Sequence, residues 1–254
     1  MNLGIGLGIT NYQGVPTVPL DPDAVIAALF GSGEEGAWYD PSDLSTVWQD
    51  AAGTTPATAG DPVGRIDDKS GNGNHATQST STARPTLQTS GGLYYLDFDG
   101  VDDFMRSSSF PAIAQPISAA LGFRASAIPK FIIDGHDANQ FSLITVNVGG
   151  VDKLRFVSGD GPPFLYVDYT YGGDTVARVL ANGASSVIAI DGVETVGAAS
   201  ATAAVTAWTL GAAGTDVLPL DGRIYGFVAV DRTLTAGEID DVEAYLATKS
   251  GVTI

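Results

Sequence analysis

Trp38-Tyr39-Asp40-Pro41-Ser42-Asp43-Leu44, Asp68-Lys69-Ser70-Gly71-Asn72-Gly73-Asn74-His75-Ala76-Thr77 and Leu96-Asp97-Phe98-Asp99-Gly100-Val101-Asp102-Asp103-Phe104 are the segments on which the fold turns. From Asp67 to Asn74 the chain consists almost wholly of turn formers, which supply positive φ or bond their own backbone. Residues 93–98 are aliphatic and aromatic and read as a strand. Asp99-Gly100 closes it as a turn in which Asp side chains accept from nearby amides.

Downstream, short strands alternate with turn signals. Residues 141–148 alternate cleanly, Gly149-Gly150 makes a hairpin turn, and residues 154–157 return. Residues 165–171 and 175–181 read as a pair around Gly172-Gly173. Residues 187–190 and 193–196 flank Asp191-Gly192, a tight-hairpin signature, and residues 208–210 and 223–230 complete the series. The chain then ends in a helix with Thr235 as N-cap and Glu238 completing a capping box. Ile239, Val242 and Leu246 form its apolar stripe, Lys249 lies in its last turn and Gly251 just beyond.

The three quoted segments, in this order, resemble the opening of laminin-G-like domains in structural proteins of tailed bacteriophages. Asp221-Gly222-Arg223-Ile224-Tyr225-Gly226 and Asp231-Arg232-Thr233-Leu234-Thr235 resemble the closing strand and terminal helix of such domains. The resemblance spans roughly residues 38–252, its middle by pattern alone. It implies an all-β, concanavalin A-like jelly-roll β-sandwich with an N-terminal extended arm and short helix and a C-terminal helix.

Two units are expected: an arm, 1–36, and the sandwich, 37–254. In the arm, Gly4, Gly6 and Gly8 alternate with Ile5, Leu7 and Ile9, and residues 12–22 carry three prolines. Asp21 then caps a short helix through Phe30, ended by Gly31 and Gly33. Such an arm cannot bury a core by itself, so it is expected to dock on the sandwich or on a partner.

Of 254 residues, 44% are hydrophobic and 16% charged, with a net charge of -17. That is enough apolar material for one sandwich. The acidity opposes binding to phosphate backbones and to anionic lipid. No apolar run is long enough to span a bilayer. With no Cys, disulfides and thiolate zinc sites are excluded, and assembly in a reducing host cytoplasm fits. The N-terminus lacks a secretory signal pattern.

No catalytic residue is expected. Glu238-Ile239-Asp240-Asp241-Val242-Glu243 mimics the catalytic strand of bacterial β-glucanases of this fold. Retaining hydrolysis needs two carboxyl groups about 5 Å apart. On a helix, however, Glu238 and Asp240 do not share a face, so a solvated helix face is expected. His75 and His136, the two histidines, read as a strand-start residue and a loop residue. No cofactor is expected either. Calcium alone is left open, at Asp99, Asp102 and Asp103 or at Asp134, Asp137 and Asn139. The Asp67-to-Asn74 run is expected to be structural. A glycan platform could draw on Trp38, Trp48, Trp208, Tyr166, Tyr169 and Tyr171, with the Tyr169 and Tyr171 face equally suited to the core.

The resulting expectation is a non-enzymatic structural protein of a phage virion, a capsid or tail decoration or fibre-type component. It would dock on other virion proteins through residues 1–36 and form a homo-oligomer. The alternative is an adhesin that binds a host surface glycan, with a glycan hydrolase third.

Overall fold

A computed structural model describes residues 21–135, 141–159, 161–199, 204–214 and 217–254. The Gly4, Gly6 and Gly8 alternation and most of the proline-bearing stretch lie outside the described residues. So do His136, Asp137 and Asn139.

Two antiparallel sheets pack face to face as a β-sandwich, as expected, with a short N-terminal helix and a C-terminal helix. Among the described residues the first sheet has eight strands. It runs from the edge strand Val193–Gly197 through Ser186–Ile190, Thr175–Ala181, Ile117–Ala125, Asp221–Val230 and Leu93–Asp99 to Thr86–Ser90. Gly36–Tyr39 pairs with Asp221–Val230 as a side branch. The second sheet has nine, from Leu165–Asp168 through Val151–Ser158, Phe141–Val148, Lys130–Asp134, Thr209–Leu210, Met105–Ser107, Ala76–Thr77 and Arg65–Ile66 to Val47–Trp48. Side chains from the facing surfaces fill the core between them, with Tyr39, Phe123, Phe141, Phe156, Trp208 and Phe227 its largest buried members.

The outer face of the first sheet is covered too. Pro22–Ala27, Ala28–Phe30 and Ala236–Ser250 lie there, burying Ile26, Leu29, Val242, Tyr245 and Leu246 against Trp38, Ala120, Val176 and Val228. The terminal helix sits close because two strands present glycine beneath it. A Cβ at Gly226 would lie 3.1 Å from a Leu246 methyl, and one at Gly122 3.2 Å from the Ser250 Cβ. The capping box at Thr235 and Glu238 forms as its sequence dictates, and Gly251 ends the helix in the left-handed region. Asp21 caps the short helix by accepting from the Asp23 amide. Among the described residues no helix is long and apolar enough to cross a membrane.

The hairpin at Asp191-Gly192 forms with both turn residues at positive φ. The pairing expected around Gly172-Gly173 does not. Leu165–Asp168 pairs with Val151–Ser158 in the second sheet, whereas Thr175–Ala181 joins the first sheet beside Ile117–Ala125. The chain crosses between sheets there, and Tyr169 and Tyr171 turn inward at the crossing. Tyr169 stacks on Phe123 and its hydroxyl accepts from the Ala125 amide.

The quoted N-terminal segments are staples. Asp68 accepts from the Trp38, Ser70 and Asn74 amides and from the Ser70 hydroxyl, which fixes the 68–74 turn to the strand beside it. Asp40, 1% exposed, accepts from the Tyr245 hydroxyl, from Lys249 Nζ and from Ser42. Lys69 reaches Asp23 at 2.6 Å and Asp43 at 2.8 Å. One charge network therefore ties the short helix, the first strand, the glycine-rich turn and the terminal helix.

Candidate functional site

The two outer faces differ. Helices bury that of the first sheet; no described helix lies on that of the second. There, cross-strand pairing sets a continuous row of outward side chains: Trp48, Arg65, Thr77, Arg106, Thr209, Asp134 and Ser142. Alternation along each short strand turns their neighbours inward, so Ile66, Ala76, Met105 and Leu210 join the core. At one end of this row lies a concavity of about 420 Å³, with Arg65, His75, Thr77, Gln78, Phe104 and Arg106 in its lining.

Its polar groups are held by specific partners. Asp67 accepts from Trp48 Nε1 at 2.8 Å and from Arg65 Nε at 2.6 Å. His75 Nδ1 lies 3.0 Å from the Asp68 amide nitrogen and 3.1 Å from Asp67 Oδ1. Gln78 donates to the Phe104 carbonyl. Arg106 Nε donates to Thr209 Oγ1 and its terminal nitrogen to the Gly214 carbonyl, while its guanidinium lies 4.9 Å from the centre of the Phe104 ring. The arrangement joins an aromatic face to hydrogen-bonding groups fixed on a rigid sheet, the combination a small polar ligand with apolar faces requires.

The residues singled out from the sequence fall elsewhere, apart from His75 and Trp48. Glu238 closes the capping box and takes Arg232 in two contacts at 2.8 and 2.9 Å; the Arg232 hydrogen bonds hold its carboxyl at about 2. Glu243 is buried on the sheet-facing side and paired with Arg178 at 2.9 Å. The glucanase-like run is thus helical and its carboxylates do separate jobs. Trp38 and Trp208 are core residues. Asp134 is fully buried and accepts from Ser142 Oγ, so it does not belong to an exposed rim.

Asp99, Asp102 and Asp103 do converge, with carboxylate oxygens within 4.8 Å of one another. Asp99 accepts from the Val101 amide and Asp103 from the Asp99 amide, as expected of an Asp-Gly turn. Burial first, then the charges of Asp99, Asp102 and Asp97, push Asp103 up to about 6, against the pull of the Asp99 amide. The loop offers three carboxylates where calcium takes six to eight oxygens, and Lys130 Nζ already sits 3.1 Å from its Gly100 carbonyl. A second concavity, about 510 Å³, lies beside Tyr166, Asp168, Asp191 and Val193, where the edge strands of the two sheets meet.

Arg65, Thr77, Phe104 and Arg106 carried no signal of a site in the sequence, although Thr77 and Phe104 close two of the quoted segments. Each stands in or beside a strand of two or three residues, too short for periodicity to show a face.

No family model matches the chain, and no curated protein does. Solved structures do. A GH54 α-L-arabinofuranosidase superposes with a TM-score of 0.63 at 13% identity over 88% of this chain. Domain 4 of AbnA, a GH43 extracellular arabinanase from Geobacillus stearothermophilus solved with arabinotriose, gives 0.55 at 16% identity over 83%. Trypanosoma rangeli sialidase gives 0.53 at 12% identity over 88%. The chain spans 65% of the arabinofuranosidase, 34% of the sialidase and 98% of the arabinanase domain. At such identities the likeness shows the fold alone, a sandwich shared with carbohydrate-active proteins. It corrects one expectation. A chain whose fold is carried by glycoside hydrolases is not set down as a non-enzyme.

Proposed function

We propose that this chain is a glycan-binding β-sandwich module, and that its ligand lies on the open face of the second sheet in the groove between Arg65 and Arg106. One observation carries the reading. The concavity joins an aromatic ring, Phe104, to fixed hydrogen-bonding side chains on the sheet face that no described helix covers. The fold shared with an arabinanase domain solved with arabinotriose supports it. We place the module on a phage virion, as the resemblance of the quoted motifs implies, assembled in the host cytoplasm. There it would be held to other virion proteins through residues 1–36 as a homo-oligomer, with the groove turned to the host surface glycan.

Titration of the full chain with a panel of plant, bacterial and animal oligosaccharides in a calorimeter tests this, with Phe104→Ala alongside. Binding by the parent and its loss in the variant support the groove. Binding that Phe104→Ala leaves intact puts the ligand elsewhere, and no binding by the parent overturns the reading. Assaying the same mixtures for new reducing ends reads hydrolysis directly.

A further inference from the structure

We infer that the glycan this groove takes is an anionic one, bearing carboxylate or sulfate groups; the inference rests on the glycan-binding reading above. The chain carries 29 Asp and Glu against 12 Lys and Arg. The groove inverts that balance. Two arginines and one histidine line it, and none of the described lining residues is a carboxylate.

Arg65 also keeps charged donors for a ligand. Arg65 spends Nε on Asp67; its two terminal nitrogens take no partner among the described residues, and a quarter of the side chain is exposed. His75 Nδ1 is engaged by the Asp68 amide and by Asp67 Oδ1, and its Nε2 takes no partner among the described residues. Asp67, the nearest acid, has both oxygens engaged, by Trp48 and by Arg65. It aligns the guanidinium. The hydroxyls of Thr77, Ser79, Ser107 and Ser108 in the lining serve a neutral sugar and an anion alike. A planar guanidinium with two parallel N–H groups matches a carboxylate or sulfate edge.

The row spacing adds a second point of attachment. Arg65 and Arg106 stand on either side of Thr77 in the same cross-strand row, about 10 Å apart at the usual strand separation. The Phe104 ring lies under the Arg106 guanidinium. A short acidic oligosaccharide laid across the strands would meet a cation at each end and an aromatic surface at one of them.

The test uses the full chain with three probes: an oligogalacturonate, a sulfated oligosaccharide and a neutral arabino-oligosaccharide, each titrated at low and at high salt. The parent is expected to bind one or both acidic probes at least about tenfold more tightly than the neutral one, and salt to weaken that binding. Which acidic probe wins distinguishes carboxylate from sulfate. Arg65→Gln is expected to weaken acidic binding about tenfold, the loss of one charge-assisted pair. Arg65→Lys keeps the charge and serves if the Gln variant does not fold. If the neutral probe binds at least as well, Phe104→Ala abolishes it and Arg65→Gln does not change it, the anionic inference is overturned while the groove stands. If no probe binds, or binding survives Phe104→Ala, both fall.

Discussion

The two outer faces of this sandwich are built from the same kind of strand and used in opposite ways. That of the first sheet is sealed by two helices, and its charged groups face one another. Arg178, 4% exposed, meets Glu243 from the terminal helix and Glu194 from the edge strand Val193–Gly197, two strands away. Asp40 is held by Lys249, Tyr245 and Ser42. Burial alone would raise the Asp40 pKa, but the hydrogen bonds from Lys249, Ser42 and Tyr245 outweigh it and hold the carboxyl below its usual range. On the open face the groove end of the row, Arg65, Thr77 and Arg106, stays partly exposed, whereas Thr209, Asp134 and Ser142 are buried. Substitutions on the sealed face should therefore act on stability and those on the open face on binding.

The largest effect is expected at Asp40. Asp40→Ala leaves Lys249 and the Tyr245 hydroxyl without their buried acceptor, and breaking such a pair costs about 3–5 kcal/mol. Urea unfolding should show it. A loss below about 1 kcal/mol would mean that the network is solvated and that the two faces are more alike than described.

Leu246→Ala comes next, at about 3 kcal/mol, since the side chain is fully buried between the terminal helix and the glycine-lined sheet. Its glycan binding should match the parent's. A fall in affinity in the folded variant would couple the faces and undo the contrast.

The third concerns pH. Asp103 has a folded pKa raised from 3.8 to about 6. The folded state therefore holds this proton more tightly than the unfolded state does. Its contribution is fully present below about pH 4 and is lost as pH rises through about 6, on the order of 3 kcal/mol. Comparing the pH–stability curves of parent and Asp103→Asn isolates it. Superimposable slopes between about pH 4 and 6 would show an ordinary carboxyl there.

Phe104→Ala should change stability least. The ring is half-buried at the edge of the groove, and its truncation should cost about 1 kcal/mol while removing glycan binding. Thermal melts and calorimetry on the same sample separate the two. A large loss of stability would make Phe104 a core residue and weaken the site.

How much of this could be read from the chain follows the same division. The sealed face was legible where its signals are local. Thr235 and Glu238 lie three residues apart, and the Asp68-to-Asn74 turn bonds within itself, so both ends of the sandwich showed. The partners that tie them, Asp40 to Lys249 and Trp38 to Tyr245, lie more than 200 residues apart and left no trace. Ile117–Ala125, a central strand, went unmarked because both of its faces are buried. Its Ala119, Ala120 and Gly122 therefore give no alternation. Tyr169 and Tyr171 were suited to either face, and only the crossing between sheets sent them inward. The groove was illegible for a different reason. Arg65, Thr77 and Arg106 become neighbours only when three very short strands pair, and strands of that length carry no period.

The central claim, that the open face of the second sheet is the binding face, is tested most directly by NMR. Backbone amide shifts of the full chain would be followed during titration with an oligosaccharide it binds. The largest changes are expected at His75, Thr77, Phe104 and Arg106, with the terminal helix Ala236–Ser250 unmoved. Changes centred on that helix, on the Asp99-to-Asp103 turn, or on the Tyr166 and Asp191 edge would contradict it.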